Sequence, residues 1–256
     1  MSASPDGAPL EVIVPDWPAP PAVRAAFTLR MGGVSAAPFD SLNVGAHVGD
    51  AGAAVAENRR RVRTQLRLPA EPLWLEQVHG IEVADLDMAS GQVSATPPTA
   101  DAVIARRAGN VCVMQVADCM PVLFASRDGS AVAAAHAGWR GLAGGVLEAT
   151  VARLGVAPGK LIAWLGPAIG PRHFEVGGEV RAAFLRHDAG AADAFHANAR
   201  GRWQCDLGTL ARRRLGALGV TAVFGGGWCT YADATRFFSY RRDGQCGRMA
   251  ALIWLG

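Results

Sequence analysis

The chain has 256 residues, 50% of them hydrophobic and 18% charged, with a net charge of +3. That length can support one large core burying roughly 75% of the unfolded chain's surface, and the scattered basic residues argue against a nucleic-acid tract. With no run of about 18 apolar residues, no membrane-spanning helix is expected.

The opening "MSASPDGAPLEVIVPDW" lacks a basic start followed by an apolar stretch, so a secretory signal is not expected. Residues 1–22 read as a peripheral N-terminal segment, loop-like at "PDWPAPPA". Five cysteines, an odd number without close pairing, argue against a disulfide framework. Reduced thiols in a cytoplasm are the expectation.

Residues 24–29 read as a strand. The glycine-rich "TLRMGGVSAAPFDSLNVGAHVGD" follows, with Arg30, Asn43 and His47. Glycines let a backbone approach a ligand, and Arg30 can grip an anion such as phosphate; the alternative is a surface loop. Residues 53–66 read as a helix and 73–78 as a strand, which "WLEQVHG" ends at His79. A loop, "SATPPTAD", spans 94–101. Strands are expected at 101–105, 111–116, 121–126 and 130–136.

Cys119 lies in "MQVADCMPVLF", where one apolar run breaks before the next. Pro121 has no amide hydrogen and pushes its predecessor towards extended backbone, so Cys119 belongs to a turn. "AVAAAHAGWRG" places His136 at the end of the following strand and Arg140 after Trp139 and a glycine. Arg140 is a candidate for phosphate or a substrate oxygen; stacking on an aromatic ring is the alternative.

A helix is expected at 142–154, a strand at 160–165, a loop at "LGPAIGPRHFEVGG" (165–178) and helices at 178–187 and 206–218. The last has Asp206 as N-cap and Gly219 at its C-terminal end. Arg212, Arg213 and Arg214 read as its solvated face. Strands at 220–224 and 249–255 close the chain. Before the last, "FFSYRRDGQCGRMAALIWL" offers Ser239, Arg241 and Arg242, and "DGQCG" reads as a hairpin turn. Consecutive strands together with helix–strand alternation predict an α+β fold, a mixed sheet covered by helices.

His79, Cys119 and His136 share one context: an apolar run, a reactive side chain, then a turn. Strand ends gathered at one sheet edge are where sites form. Two histidines and a thiolate match a three-ligand metal site with an open position, for zinc or copper. Their ligand atoms would then lie about 3–4.5 Å apart, around a metal ~2.0–2.3 Å from each. The same residues also fit a metal-free Cys-His pair, with Asp118 or another acid orienting the imidazole. Cys112, Cys205, Cys229 and Cys246 read as ordinary thiols.

The blocks "QVHG", "ADCMPVLF", "HAGWRG", "LGPAIG…FEVG" and "FFSYRRDG…GR", in this order, resemble the YfiH family, also called laccase-domain or multicopper polyphenol oxidase-like proteins. The likeness runs from residue 28 to the C-terminus. It implies a single-domain α/β fold of stacked mixed sheets flanked by helices. It also implies a cytosolic enzyme with zinc or copper at His79, Cys119 and His136. The activities it implies are phosphorolysis of adenosine, inosine and methylthioadenosine, a transferase reaction, and deamination of adenosine, a hydrolase reaction. A further implied role is editing of a peptidoglycan precursor, an amide hydrolysis that suits the Cys-His reading. Multicopper oxidation of phenols is disfavoured, because several coppers need many histidines and the chain has six. Relatives tend to carry Cys-Tyr-Glu-Val where this chain has His173-Phe174-Glu175-Val176, which exchanges a thiol and a phenol hydroxyl for an imidazole.

Overall fold

Apolar runs too short for helices become the strands of two large stacked sheets, beside a third, small one. The computed structural model of the protein describes residues 9–88 and 96–256. Residues 1–8 of the expected peripheral segment, and 94 and 95 of the 94–101 loop, lie outside the described residues. The strands are β1 (Val12–Ile13), β2 (Val23–Thr28), β3 (Val83–Asp85), β4 (Ala102–Ala105), β5 (Val111–Val116), β6 (Met120–Ser126), β7 (Val132–Ala137), β8 (Leu161–Leu165), β9 (Glu175–Val176), β10 (Phe195–Ala197), β11 (Trp203–Cys205), β12 (Ala222–Gly225) and β13 (Met249–Leu255). The helices are α1 (Gly52–Gln65), α2 (Trp139–Gly144), α3 (Val146–Leu154), α4 (Gly178–Leu185), α5 (Leu207–Leu218) and α6 (Tyr240–Asp243).

One large sheet has the order β1-β2-β13-β5 and the other β12-β8-β6-β7-β4-β3; the small sheet has the order β10-β11-β9. Pairing is antiparallel except at β12–β8 and β3–β4, so the larger sheet is mixed, as expected. Successive side chains alternate between sheet faces, and this alternation builds the layers. Phe27, Met114 and Ile253 of the first sheet meet Leu123, Ala134 and Trp164 of the second in one core. On the second sheet's other face, Phe124, Ala133 and Ala135 pack with Leu147 and Val151 of α3 and Leu210 of α5. On the first sheet's other face, Val113 and Leu252 pack with Val62 of α1. With both faces covered, strands such as "MPVLFAS" are buried throughout. The result is an α+β fold in which a mixed sheet stacks on an antiparallel one, flanked by helices.

Four expectations need correction. Residues 73–78 make only an isolated bridge, at Glu76 to Thr99. The Gln77 side chain takes the place of a strand partner: its Nε2 donates to the Gln115 carbonyl at 2.9 Å, and the Gln115 amide donates to Gln77 Oε1 at 2.8 Å. The helix expected at 142–154 is two helices, because Gly145 adopts φ 104°, a left-handed value open to glycine. Arg212 and Arg213 face solvent as expected, but Arg214 is turned inward, so the three share no single face. Consecutive helical residues point about 100° apart, so Arg212 reaches the Val223 and Gly225 carbonyls, Arg213 pairs with Asp188 and Arg214 with Glu148. The expected "DGQCG" hairpin does not form: no strand leads into it, and the stretch links the short α6, which Ser239 caps by accepting from the Arg242 amide at 3.3 Å, to β13. By contrast, α5 has both expected caps: Asp206 accepts from the Thr209 amide at 3.1 Å, and Gly219 sits at φ 92°.

Candidate functional site

β7 delivers His136 one residue before its end. Val132 and Ala134 project into the core between the sheets, and residue 136 shares their parity. Its ring therefore stands at the rim of that core and is 4% exposed. Cys119 lies in the turn between β5 and β6, half-buried. His79 lies in the loop before β3, with φ 64°. One ligand atom from each of the three falls within 4.8 Å of the others, and Cys119 Sγ is 3.7 Å from His79 Nε2. The two imidazoles meet edge to face, with centroids 4.8 Å apart.

A fully buried carboxylate, Asp101, holds this arrangement. Its Oδ1 accepts from the His79 amide at 2.9 Å and lies 2.8 Å from His136 Nδ1. Its Oδ2 accepts from the amides of Val78 at 3.1 Å and Gly80 at 2.6 Å. The left-handed His79 backbone turns three successive N–H groups onto one anion, an anion-binding nest. By bonding Nδ1, the carboxylate leaves Nε2 of His136 as the lone-pair nitrogen. Asp118, the orienting acid named from sequence, has other duties: it accepts from the Thr230 hydroxyl at 2.6 Å and the Arg241 amide at 2.7 Å.

Gly138 is required by close approach. A Cβ there would stand 2.7 Å from Cys119 Sγ and 3.1 Å from His79 Cδ2.

Electrostatically Cys119 and His136 act on each other. Burial pushes the Cys119 thiol up, but the charge and hydrogen bond of His136, with His79 beside it, outweigh burial and hold it at about 6. Burial alone would lower His136; Cys119 and Asp101 raise it to about 9. Soft thiolate and imidazole donors suit zinc or copper. The donor set therefore fits a single metal ion at His79, Cys119 and His136.

A cavity of about 470 Å³ opens on the set. Trp139, Ile169, Phe174 and Leu207 line it with apolar surface and Arg140, Arg241 and Arg248 with positive charge, Arg140 over the Trp139 ring and Arg241 over that of Phe174. Arg140 is exposed, its guanidinium 4.5 Å from the Trp139 ring centroid.

Arg30 and Asn43 do not line this cavity. Arg30 is committed to the Asp40 carboxylate and carbonyl, the Ala234 carbonyl and the Phe238 ring. Asn43 is fully buried; its Oδ1 accepts from the amides of Gly45 and Arg248, both at 2.8 Å. In the altered block, Phe174 lines the cavity. His173 stacks on Tyr231 at 4.5 Å, with Nδ1 3.5 Å from Cys229 Sγ.

Sequence reasoning missed Asp101, Gln77, Tyr240 and Arg248. Asp101 carried a signal: a lone carboxylate opening a wholly apolar run, "DAVIA".

Comparison with known proteins gives consistent results. A family model described as multi-copper polyphenol oxidoreductase laccase matches residues 24–256. A Pseudomonas aeruginosa protein named purine nucleoside phosphorylase is 57% identical over 244 residues, covering 95% of this chain and 98% of its own. An Escherichia coli protein named purine nucleoside phosphorylase YfiH is 52% identical, covering 96% and 99%. A Neisseria meningitidis crystal structure superposes with a TM-score of 0.91 at 48% identity, over 95% of this chain and 98% of that one. A Bacillus licheniformis YfiH structure gives 0.84 at 31% identity, over 91% and 93%.

Proposed function

This chain belongs to the YfiH family of laccase-domain proteins, and on that premise we propose that it is a purine nucleoside phosphorylase acting on adenosine, inosine and methylthioadenosine, with adenosine deaminase activity. The observation that carries the reading is the convergence of His79, Cys119 and His136 in a cavity lined by both aromatic rings and arginines. Relatives at 57% and 52% identity bear the phosphorylase name.

In phosphorolysis a phosphate oxygen bonds the ribose C1′ as the bond from C1′ to the base nitrogen breaks. The leaving base takes a proton on its ring nitrogen. In deamination, water adds at the purine carbon bearing the amine and ammonia departs. His79, Cys119 and His136 would hold zinc or copper, which when bound acts as a Lewis acid and lowers the pKa of water to roughly 7. Asp101 fixes the His136 ring. Trp139 and Phe174 exclude water and take the flat purine. Arg140 lies over Trp139, so in this reading it meets a nucleoside oxygen. Arg140→Ala is expected to raise the KM for inosine about tenfold, the loss of one charge-assisted hydrogen bond. Steady-state kinetics check this; an unchanged KM removes Arg140 from the site.

The same reading places the enzyme in the cytoplasm, where its five free cysteines stay reduced. Copper-based phenol oxidation does not fit, because the described residues supply one three-ligand set of this kind and a multicopper oxidase needs several.

A second reading, a metal-free Cys-His amidohydrolase editing a peptidoglycan precursor, draws on the lowered Cys119 and the His136–Asp101 bond. Its thiolate–imidazolium pair would span the interval between about pH 6 and 9. Metal content separates the two. The expected result is stoichiometric metal in the purified chain, lost in Cys119→Ser together with phosphate-dependent release of hypoxanthine from inosine. Full turnover by metal-stripped protein would favour the amidohydrolase.

A further inference from the structure

Arg241 and Arg248 come from one stretch, "SYRRDGQCGR", and the chain splits its arginines by role. Arg242 is turned inward, donating to the carbonyls of Thr230, Tyr231 and Phe237 and pairing with Asp243. Arg241, its neighbour on the short α6, lines the cavity instead. Its NH1 donates to the Glu175 carbonyl at 2.9 Å. Arg248 NH1 donates to the carbonyls of Cys246 and Gly247 at 2.9 and 3.1 Å.

Neither guanidinium has a carboxylate partner among the described residues, unlike Arg30, Arg106, Arg213 and Arg214. The nearby acids are already engaged. Asp118 is satisfied by Thr230 and by the Arg241 amide. The Glu175 carboxylate is taken by Arg200 and Asn198, and Asp243 by Arg242. Two cations thus face the cavity with donors to spare, while of the anions that line it Asp118 is already bonded to Thr230 and the Arg241 amide and Cys119 belongs to the three-residue set.

A second cavity, of about 340 Å³, adjoins the first. The two share His47, Tyr240 and Arg248 as lining residues. Burial holds His47 below its ordinary value, and Arg248 and Arg59 lower it further. The smaller, arginine part of that lowering places positive charge beside the ring. The Arg248 guanidinium lies 5.9 Å from the Tyr240 ring centroid. Asn43, fully buried, fixes the Arg248 backbone. The arginine is therefore presented from a built position, not from a free loop.

We propose that Arg248, which with His47 stands where the two cavities meet, and Arg241, which lines the first cavity, form the subsite for inorganic phosphate. This rests on the phosphorylase reading and names the residues that would carry its second substrate. Guanidinium donors match phosphate oxygens in pairs. Placing phosphate here leaves Trp139 and Arg140 to the nucleoside.

Two measurements test it: steady-state kinetics with inosine and varied phosphate, and calorimetric titration of the nucleoside-free protein with inorganic phosphate. In Arg248→Gln the KM for phosphate is expected to rise at least tenfold, while the KM for inosine moves less than twofold. Arg248→Lys, which keeps the charge but not the fork, should fall between. Arg241→Gln, which gives up the Glu175 carbonyl and the 5.3 Å stack on Phe174, should still raise the phosphate KM more than the inosine KM, should Arg248→Gln fold poorly. Phosphate KM values within twofold of the parent in both variants, or a parallel rise in both constants, would overturn the subsite. If the parent shows no phosphorolysis, the phosphorylase reading fails, and calorimetry alone decides the subsite. Phosphate binding weakened in Arg248→Gln supports it; no binding by the parent overturns it.

Discussion

His136→Ala is expected to lose at least ~10²-fold of turnover on inosine and adenosine while still melting cooperatively. The size is the low end for removing a group that binds or moves a proton at the reacting centre. The geometry explains why activity falls further than stability. His136 ends a strand whose preceding residues, Ala133 to Ala135, already fill the space against α3 and the facing sheet. Deleting the imidazole enlarges the cavity wall and leaves the core packing in place. Asp101 loses one partner of four and keeps three backbone amides. One hydrogen bond to a charged group is worth about 1.5–3 kcal/mol, and each kcal/mol moves a chain of this size by roughly 2–4 °C. A fall of several degrees follows. Thermal melting beside phosphorolysis and deamination assays checks both halves. A variant that keeps more than a tenth of parental turnover would make His136 a structural residue.

The three site residues were legible because each is a polar side chain interrupting an apolar run. The α5 caps were legible because Asp206 and Gly219 act locally. What was hidden depends on contacts distant in sequence. Asp101 looked like the end of a loop, and its role appears only when residues 78–80, some twenty positions earlier, fold back onto it. Residues 73–78 have strand composition, yet a side-chain amide took over the pairing. The small sheet β10-β11-β9 has strands of only two or three residues, too short for any periodicity. The arginines were the least legible. Arg30 and Arg248 both sit beside glycines, and only the placement of Asp40 beside one of them separates an ion pair from a cavity-lining cation.

Asp101→Asn should damage both the fold and the site, although it changes one atom. The carboxylate accepts four hydrogen bonds, two on each oxygen. An amide must turn its NH₂ towards one pair of donors. If that pair is Val78 and Gly80, two part-buried N–H groups lose a charged acceptor, at about 1–2 kcal/mol each. If it is His79 and His136, the imidazole must accept at Nδ1 and protonate Nε2, which removes the lone pair facing His79 and Cys119. Either way the expected loss is about 2–4 kcal/mol of stability, a fall of roughly 5–15 °C in melting temperature. Metal affinity or turnover should fall 10–100-fold, the usual effect of removing such a supporting partner (~10–100-fold). The pH dependence adds a sign. Burial pushes the Asp101 carboxyl up, but the His136 bond and the Gly80 and Val78 amides hold it below its ordinary 3.8. A carboxyl depressed on folding contributes stability fully present above the ordinary value and lost as pH falls below it. The melting curves of parent and variant should therefore stand far apart at pH 7 and converge below about pH 4. Equal melting temperatures at pH 7, with metal retained, would show that the amides of residues 78–80 and the His136 ring do not need this carboxylate.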